Sequence, residues 1–325
     1  MTSIPLAKHL PNVSNLAFGC MGLGGGWNPS PTGKDDINQA NLAIDAALDA
    51  GINFFDHADI YTLGKAEQVF GEVLKQRSEL RSQMYLQSKC AIRLQDDANP
   101  GRYDHSKQWV ESSVNKILKR LHVEKLDVLL LHRPDPLMDV EELAETLNQL
   151  KSSGKVDHFG VSNMHRYQME LINKHLPEPL IVNQLEMSLQ KHGFLDQGVT
   201  VAMDEQANVG FDTGILEYCQ LNDVQLQSWG SLSQGLFSGR DVSAEPEQVK
   251  KTAALVTQLA HQYNVSKEAV VLGWLMRLPY KIQPVIGTVN PERIAACGQA
   301  GEFSSSVTRE DWYKLYVSAR GNPLP

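Results

Sequence analysis

Residues 126–132 read LDVLLLH. From Val128 to Leu131 the run is apolar without a break, and a histidine closes it. A strand with one face in water alternates polar and apolar residues. A strand covered on both faces does not, and such strands belong to parallel sheets flanked by helices. The segments on either side agree. Before it, SKQWVESSVNKILKRLH has helical spacing of its apolar residues; after it, DVEELAETLNQLKSSG carries acids in its first turn and Lys151 in its last. A helix–strand–helix unit follows.

The same unit recurs along the chain. Strand-like segments begin with VSNLAFG, INFFDHA, MYLQSKC and LDVLLLH, and continue with HFGVSN, LIVNQLEMS, VQLQSWG and IQPVIG. Helical patterns separate most of them, among them DDINQANLAIDAALDAG, with Gly51 suited to its C-terminal cap, and KAEQVFGEVLKQR. Eight strands with no break in composition predict an α/β fold of the (β/α)8 TIM-barrel type, one domain over 1–325. The stretches 23–36, 92–105, 188–212 and 231–247 read as long loops, and TREDWYKLYVSAR as an extra C-terminal helix.

Composition narrows the function classes. With 42% hydrophobic and 21% charged residues, the 325-residue chain can bury a sizeable core. A net charge of −8 argues against nucleic acid as the main partner. Cys20, Cys90, Cys219 and Cys297 lie far apart, which suggests neither a zinc site nor a disulfide framework and fits a reducing, cytoplasmic compartment. The start, MTSIPLAKHLPNVSN, lacks the apolar stretch of a secretion signal, and no apolar run is long enough to predict a membrane span. The expected partner is a small molecule, and the expected state a monomer or small homo-oligomer.

In a barrel of this kind, chemistry sits at the C-terminal ends of the strands. The second strand ends in Asp56, with Tyr61 in the loop that follows. The third ends in Lys89, the fourth in His132, the fifth in Ser162 and Asn163. The sixth carries Gln184, the seventh ends in Trp229 and Gly230, and the eighth in Gly287 and Thr288. Each has an ordinary reading by itself: Asp56 as a turn residue, Tyr61 as a rim aromatic, Lys89 as a solvated cation, His132 as a structural histidine. Together, on neighbouring strand ends, four ionisable groups face one mouth. A free tyrosine titrates near pH ~10 and is a reluctant acid. A lysine beside it favours the phenolate, and a carboxylate keeps that lysine charged in a poorly solvated pocket. Tyr61 would then give a proton to a carbonyl oxygen, with His132 orienting the carbonyl and a reduced nicotinamide attacking the carbon.

These residues resemble the aldo-keto reductase superfamily, and particularly a bacterial oxidoreductase branch of it. FDHADIYTLGKAE is similar to its Asp-and-Tyr signature, LQSKC to its lysine strand and LLLHRPDP to its histidine strand. GKVDHFGVSN is similar to its mid-chain signature, and PVIGTVNPERI to its cofactor-phosphate segment. The resemblance implies a catalytic tetrad of Asp56, Tyr61, Lys89 and His132. It implies NADPH as cofactor, with NADH as the alternative. Ser162, Asn163 and Gln184 would hold the nicotinamide carboxamide, and Trp229 would stack where many members have tyrosine. Cys20 and Met21 would border the cofactor. Gly230, Ser231, Leu232, Gln234, Gly235 and Ser238 would run along the pyrophosphate. Gly287, Thr288, Asn290 and Arg293 would meet the 2′-phosphate.

The chain departs from the pattern at two places. Gly287 stands where many NADPH users have lysine, and Ala296 and Cys297 replace an adenine-binding Glu–Asn pair, so looser adenine binding is expected. GCMGLGGG lacks the spacing of a dinucleotide fingerprint and reads as a rim loop. Trp27 and Asn28 of that loop are candidate substrate contacts, or Trp27 only packs the loop. Arg133 either attracts an acidic substrate or pairs with Asp135. Two other functions use the same fold: a Schiff-base aldolase with Lys89 as nucleophile, and a non-catalytic nucleotide-sensing subunit.

Overall fold

A computed structural model of the chain describes residues 3–325. Met1 and Thr2, the head of the segment read as lacking a secretion signal, lie outside the described residues. Eight parallel strands close into a barrel: β1 (Ala17–Gly19), β2 (Phe54–Asp56), β3 (Tyr85–Cys90), β4 (Leu126–Leu131), β5 (Val156–Ser162), β6 (Val182–Glu186), β7 (Gln225–Trp229) and β8 (Gln283–Ile286). They run in chain order round the ring, and β1 closes it against β8 through Ala17 opposite Val285. All six residues of β4 are buried, as its apolar run demands. Helices cover the outside. Their starts carry side-chain caps at Ser106, Asp139, Ser266, Asn290 and Thr308, each accepting a backbone N–H that the first turn cannot satisfy itself. Among the described residues, no helix is long and apolar enough to cross a membrane.

The floor of the barrel is sealed by the N-terminal segment. Ile4, Leu6, Leu10 and Val13 pack beneath Phe54, Val128, Leu130 and Val182 in a core of their own. The opposite end, where the strands finish, stays open.

Three of the expected loops hold more structure than their composition suggested. The 92–105 stretch contains a short antiparallel pair, Ile92–Arg93 with Arg102–Tyr103. The 188–212 stretch contains a helix, Gly193–Val199, and a 3-10 turn, Asp204–Asn208. The 231–247 stretch contains a 3-10 turn, Ser233–Gly235. The C-terminal helix, Arg309–Arg320, packs outside as expected, with Trp312 stacked on Trp274 at 5.3 Å between ring centroids. It also holds the Gly193–Val199 helix. Tyr316 donates its hydroxyl to Asp196 Oδ1 at 2.6 Å, and Arg320 Nε does so at 2.9 Å. The second carboxylate oxygen of Asp196 meets His192 Nδ1 at 2.7 Å.

Candidate active site

Strand β2 ends on Asp56, paired in register with Gln87 of β3, and both side chains point into the barrel. Two residues beyond Gln87, Lys89 points the same way by the period of a strand. Its ammonium is fully buried, and its three hydrogens have three acceptors. These are Asp56 Oδ2 at 2.7 Å, the His57 carbonyl at 2.9 Å and the Tyr61 hydroxyl oxygen at 2.9 Å. An ammonium can only donate. The phenol oxygen therefore accepts from it, and the phenol's own hydrogen points elsewhere.

Tyr61 is held there by a turn that few sequences tolerate. The next two residues, Thr62 and Leu63, both have left-handed backbones, φ 48° and 63°. Such conformations cost a non-glycine residue on the order of 1 kcal/mol each. The Thr62 hydroxyl shares its one hydrogen between the Tyr61 carbonyl at 2.7 Å and the Leu23 carbonyl of the first loop at 3.0 Å.

The charges follow from the packing. Burial lowers the Lys89 pKa, but Asp56 and then Tyr61 outweigh it, so the net displacement is upward and the lysine stays charged. For Tyr61 the balance differs from the sequence expectation. Burial raises its pKa more than Lys89 lowers it, so the phenol is held protonated rather than as phenolate. His132 lies across from Tyr61, ring centroids 6.1 Å apart and near-perpendicular. Burial first, then Lys89 and Arg133, push its pKa well below the usual histidine range, so the ring is neutral. Its Nδ1 is buried without a partner.

On the other side of the mouth, Asn163 sits in the left-handed region at φ 58°. Its Nδ2 donates to Ser162 Oγ at 2.7 Å, and its Oδ1 accepts from the Trp229 indole at 3.0 Å. Gln184 lies one strand further on, its Nε2 donating to Gln227 at 3.0 Å. Arg133 rests its guanidinium 5.9 Å from the Trp229 ring centroid. It does not pair with Asp135, whose carboxylate accepts the backbone N–H groups of His105 and Leu137 instead. Arg133, Asn163, Glu186 and Trp229 line a cleft of about 670 Å³ together with Gly193, Phe211 and Asp212. A groove of about 800 Å³ at the sealed end, between Arg81, Tyr85 and Lys125, contains none of the strand-end groups.

The remaining sequence candidates divide. Met21, Trp27, Gly230, Gln234, Gly287 and Arg293 are exposed around the rim, and Leu232, Gly235, Ser238 and Thr288 are half-buried there. Arg293 has no ion-pair partner among the described residues, and a Cβ on Gly287 would meet nothing within 4 Å. Asn290 spends its side chain on the Arg293 backbone N–H. Two candidates have side chains turned away from the mouth. Cys20 is buried in the core, its thiol on the Phe18 carbonyl, and has no side-chain surface to offer. Ser231 is buried, its hydroxyl bonded to the Ser228 and Val285 carbonyls. Asn28 is exposed on the rim loop, and its amide oxygen accepts from Lys65 and the Ser30 backbone N–H.

Sequence reading missed the buried glutamines Gln87, Gln227 and Gln283. It also missed a buried cluster behind the site, in which Glu67 accepts from Ser88 at 2.7 Å and from Arg120 at 2.7 Å, with Asp59 nearby. The available signal was Gln225 and Gln227 on one face of VQLQSWG, the wrong pattern for a barrel strand filled with aliphatics.

Comparison with known proteins settles the lineage. The model of the Aldo/keto reductase family matches residues 15–315. The chain belongs to that family. This aldo/keto reductase is 32% identical to the oxidoreductase YcsN of Bacillus subtilis, each chain covered over its whole length. It is also 32% identical to a 6-dehydroglucose reductase of Agrobacterium fabrum, again over the whole of both. In fold it is similar to an aldo-keto reductase from Klebsiella pneumoniae crystallised with NADPH. The TM-score is 0.71 at 20% identity, over 96% of this chain and 92% of that one. Its membership makes this aldo/keto reductase an oxidoreductase.

Proposed function

We propose that the chain reduces a small aldehyde or ketone to the alcohol, with Tyr61 as general acid and NADPH as the electron donor. The observation that carries this reading is the commitment of all three Lys89 hydrogens, one of them to the Tyr61 oxygen. It leaves the phenol proton free for a carbonyl in the mouth.

The cofactor reading is supported by the residues present. Ser162, Asn163 and Gln184 lie side by side where a carboxamide would sit: Ser162 and Asn163 are bonded to each other, Gln184 keeps an amide oxygen to offer, and Trp229 offers a half-buried flat face. Arg293, without an ion-pair partner among the described residues, stands at the start of the Pro291–Gly298 helix and suits a 2′-phosphate. The solved relative bound to NADPH agrees. When bound, the reduced nicotinamide supplies a hydride to the carbonyl carbon. The carbonyl π bond breaks toward oxygen, and the oxygen takes the proton of Tyr61. Lys89 stabilises the phenolate left behind, and Asp56 keeps Lys89 charged. His132 is neutral with Nδ1 facing no acceptor, so its proton belongs on Nε2, from which it donates to the carbonyl and orients it.

The aldolase alternative needs a neutral, accessible lysine. Lys89 is fully buried, raised in pKa and triply bonded, which speaks against it.

The test is a titration with both nicotinamide cofactors, followed by loss of reduced-cofactor absorbance across aldehydes, ketones and sugar aldehydes. The sugar aldehydes belong because a relative is a 6-dehydroglucose reductase. Tyr61→Phe should bind cofactor as the wild type does and lose on the order of 10²–10⁴-fold in rate. Cofactor binding with no turnover on any carbonyl would favour the non-catalytic subunit instead.

A further inference from the structure

Beneath the mouth, the interior of the barrel holds a ladder of glutamines. Gln283 Nε2 donates to the Ser14 carbonyl at 2.7 Å. Gln227 Nε2 donates to Gln283 Oε1 at 2.9 Å. Gln227 Oε1 then accepts twice, from Gln87 at 2.9 Å and from Gln184 at 3.0 Å. Gln87 uses the same nitrogen on Asp56 Oδ1 at 2.6 Å. Gln87 reaches Gln227 from the opposite side of the ring, while Gln184, Gln227 and Gln283 are register neighbours on β6, β7 and β8.

Amide direction is set by which partners can only accept. The Ser14 carbonyl is one such partner, and it forces Gln283 to turn its nitrogen outward and its oxygen to Gln227. Gln227 must then give its nitrogen to Gln283 and present its oxygen to the remaining two. The Asp56 carboxylate is the other, and it forces Gln87 to turn its nitrogen the same way. Gln87 Oε1 is left buried with no partner, the mark of an orientation imposed from both ends. Gln184 ends the second branch, at the mouth. With its nitrogen held by Gln227, its oxygen is the atom left for a ligand.

We infer that Gln227 is a positioning residue: it locks the Gln184 amide so that a carbonyl acceptor, and not an N–H, meets the amino group of the cofactor's carboxamide. The inference rests on the cofactor reading above. It adds that the acceptor is chosen by residues that never touch the cofactor.

The experiment compares dissociation constants, by fluorescence titration, for NADP⁺ and for its 3-acetylpyridine analogue, which has methyl in place of the carboxamide amino group. The wild type should prefer NADP⁺ by about 2–10-fold, the worth of one hydrogen bond. Gln184→Leu should erase the preference. Gln227→Met, which frees the Gln184 amide to turn, should bring it below about twofold. A merely structural Gln227 would weaken both ligands equally and keep the ratio. No preference in the wild type, or one that survives Gln184→Leu, overturns the cofactor reading and this inference with it. Loss in Gln184→Leu but a wild-type ratio in Gln227→Met overturns the inference alone. If Gln227→Met does not fold, Gln283→Met, which releases the anchored end of the ladder, is read the same way: a wild-type ratio overturns the inference.

Discussion

Replacing Asp56 by asparagine tests the charge logic of the site most directly. The substitution keeps the shape, leaves one amide oxygen for the two donors Gln87 and Lys89, and removes the negative charge 2.7 Å from the Lys89 ammonium. Two unit charges at that distance interact by roughly 6 kcal/mol at an effective dielectric near 20. Breaking one side of a buried pair costs about 3–5 kcal/mol in practice, because the partner is left charged without compensation. We expect a loss of that size at neutral pH, read from urea unfolding. The pH dependence carries the sharper signature. In the wild type, the Lys89 pKa is raised above its ordinary 10.5, so its contribution is fully present below that value and is lost only as pH rises above it. In Asp56→Asn, burial wins and the folded-state pKa falls below the unfolded one. The unfolded chain then binds more protons, and stability rises with pH from neutrality toward the ordinary lysine value. The slope approaches about 1.4 kcal/mol per pH unit. Unfolding free energies of both proteins at a series of pH values, subtracted from each other, isolate this term. A difference that does not change with pH, or a variant as stable as the wild type, would refute the account of Lys89 as a cation held by Asp56.

Three further outcomes are expected. Arg293→Ala should weaken NADPH more than NADH, measured by fluorescence titration; equal weakening would remove it from the 2′-phosphate. Gly71→Ala should destabilise by about 1–3 kcal/mol in urea midpoints even though alanine favours the helix by ~1 kcal/mol, because the added Cβ runs into the Arg120 carbonyl of the neighbouring helix. Asp59 is pushed up to about 7, chiefly by burial and next by Glu67, with Arg120 opposing. Its folded pKa exceeds its unfolded 3.8, so its contribution is present below that value and is lost as pH rises to about 7. Asp59→Asn should therefore gain on the wild type across that window by up to about 1.4 kcal/mol per unit, and parallel curves would count against it.

What could be read beforehand was whatever the strand period and the barrel's polarity determine locally. The apolar runs at Val128–Leu131 and Leu180–Val182 require two covered faces, and Asp56, Lys89, His132 and Gln184 follow from where each run stops. What escaped depends on contacts far apart in sequence. The Gly193–Val199 helix is held by Tyr316 and Arg320, more than a hundred residues away, so its own composition reads as loop. The glutamines gain meaning only once β3 and β7 face each other across the ring. Cys20 sits one residue past β1 and is drawn into the core by Phe18 and Phe55, while its neighbour Met21 stays outside. The sign of the Tyr61 shift turned on burial, which a list of charged neighbours does not contain.

The clasp at Asp196 gives the end of the chain a say in events at the mouth. Phe211 and Gly193, on the segment that Asp196 anchors, border the cleft beside Trp229. Proteolytic nicking or a tag that unseats the Arg309–Arg320 helix would therefore loosen one wall of that cleft.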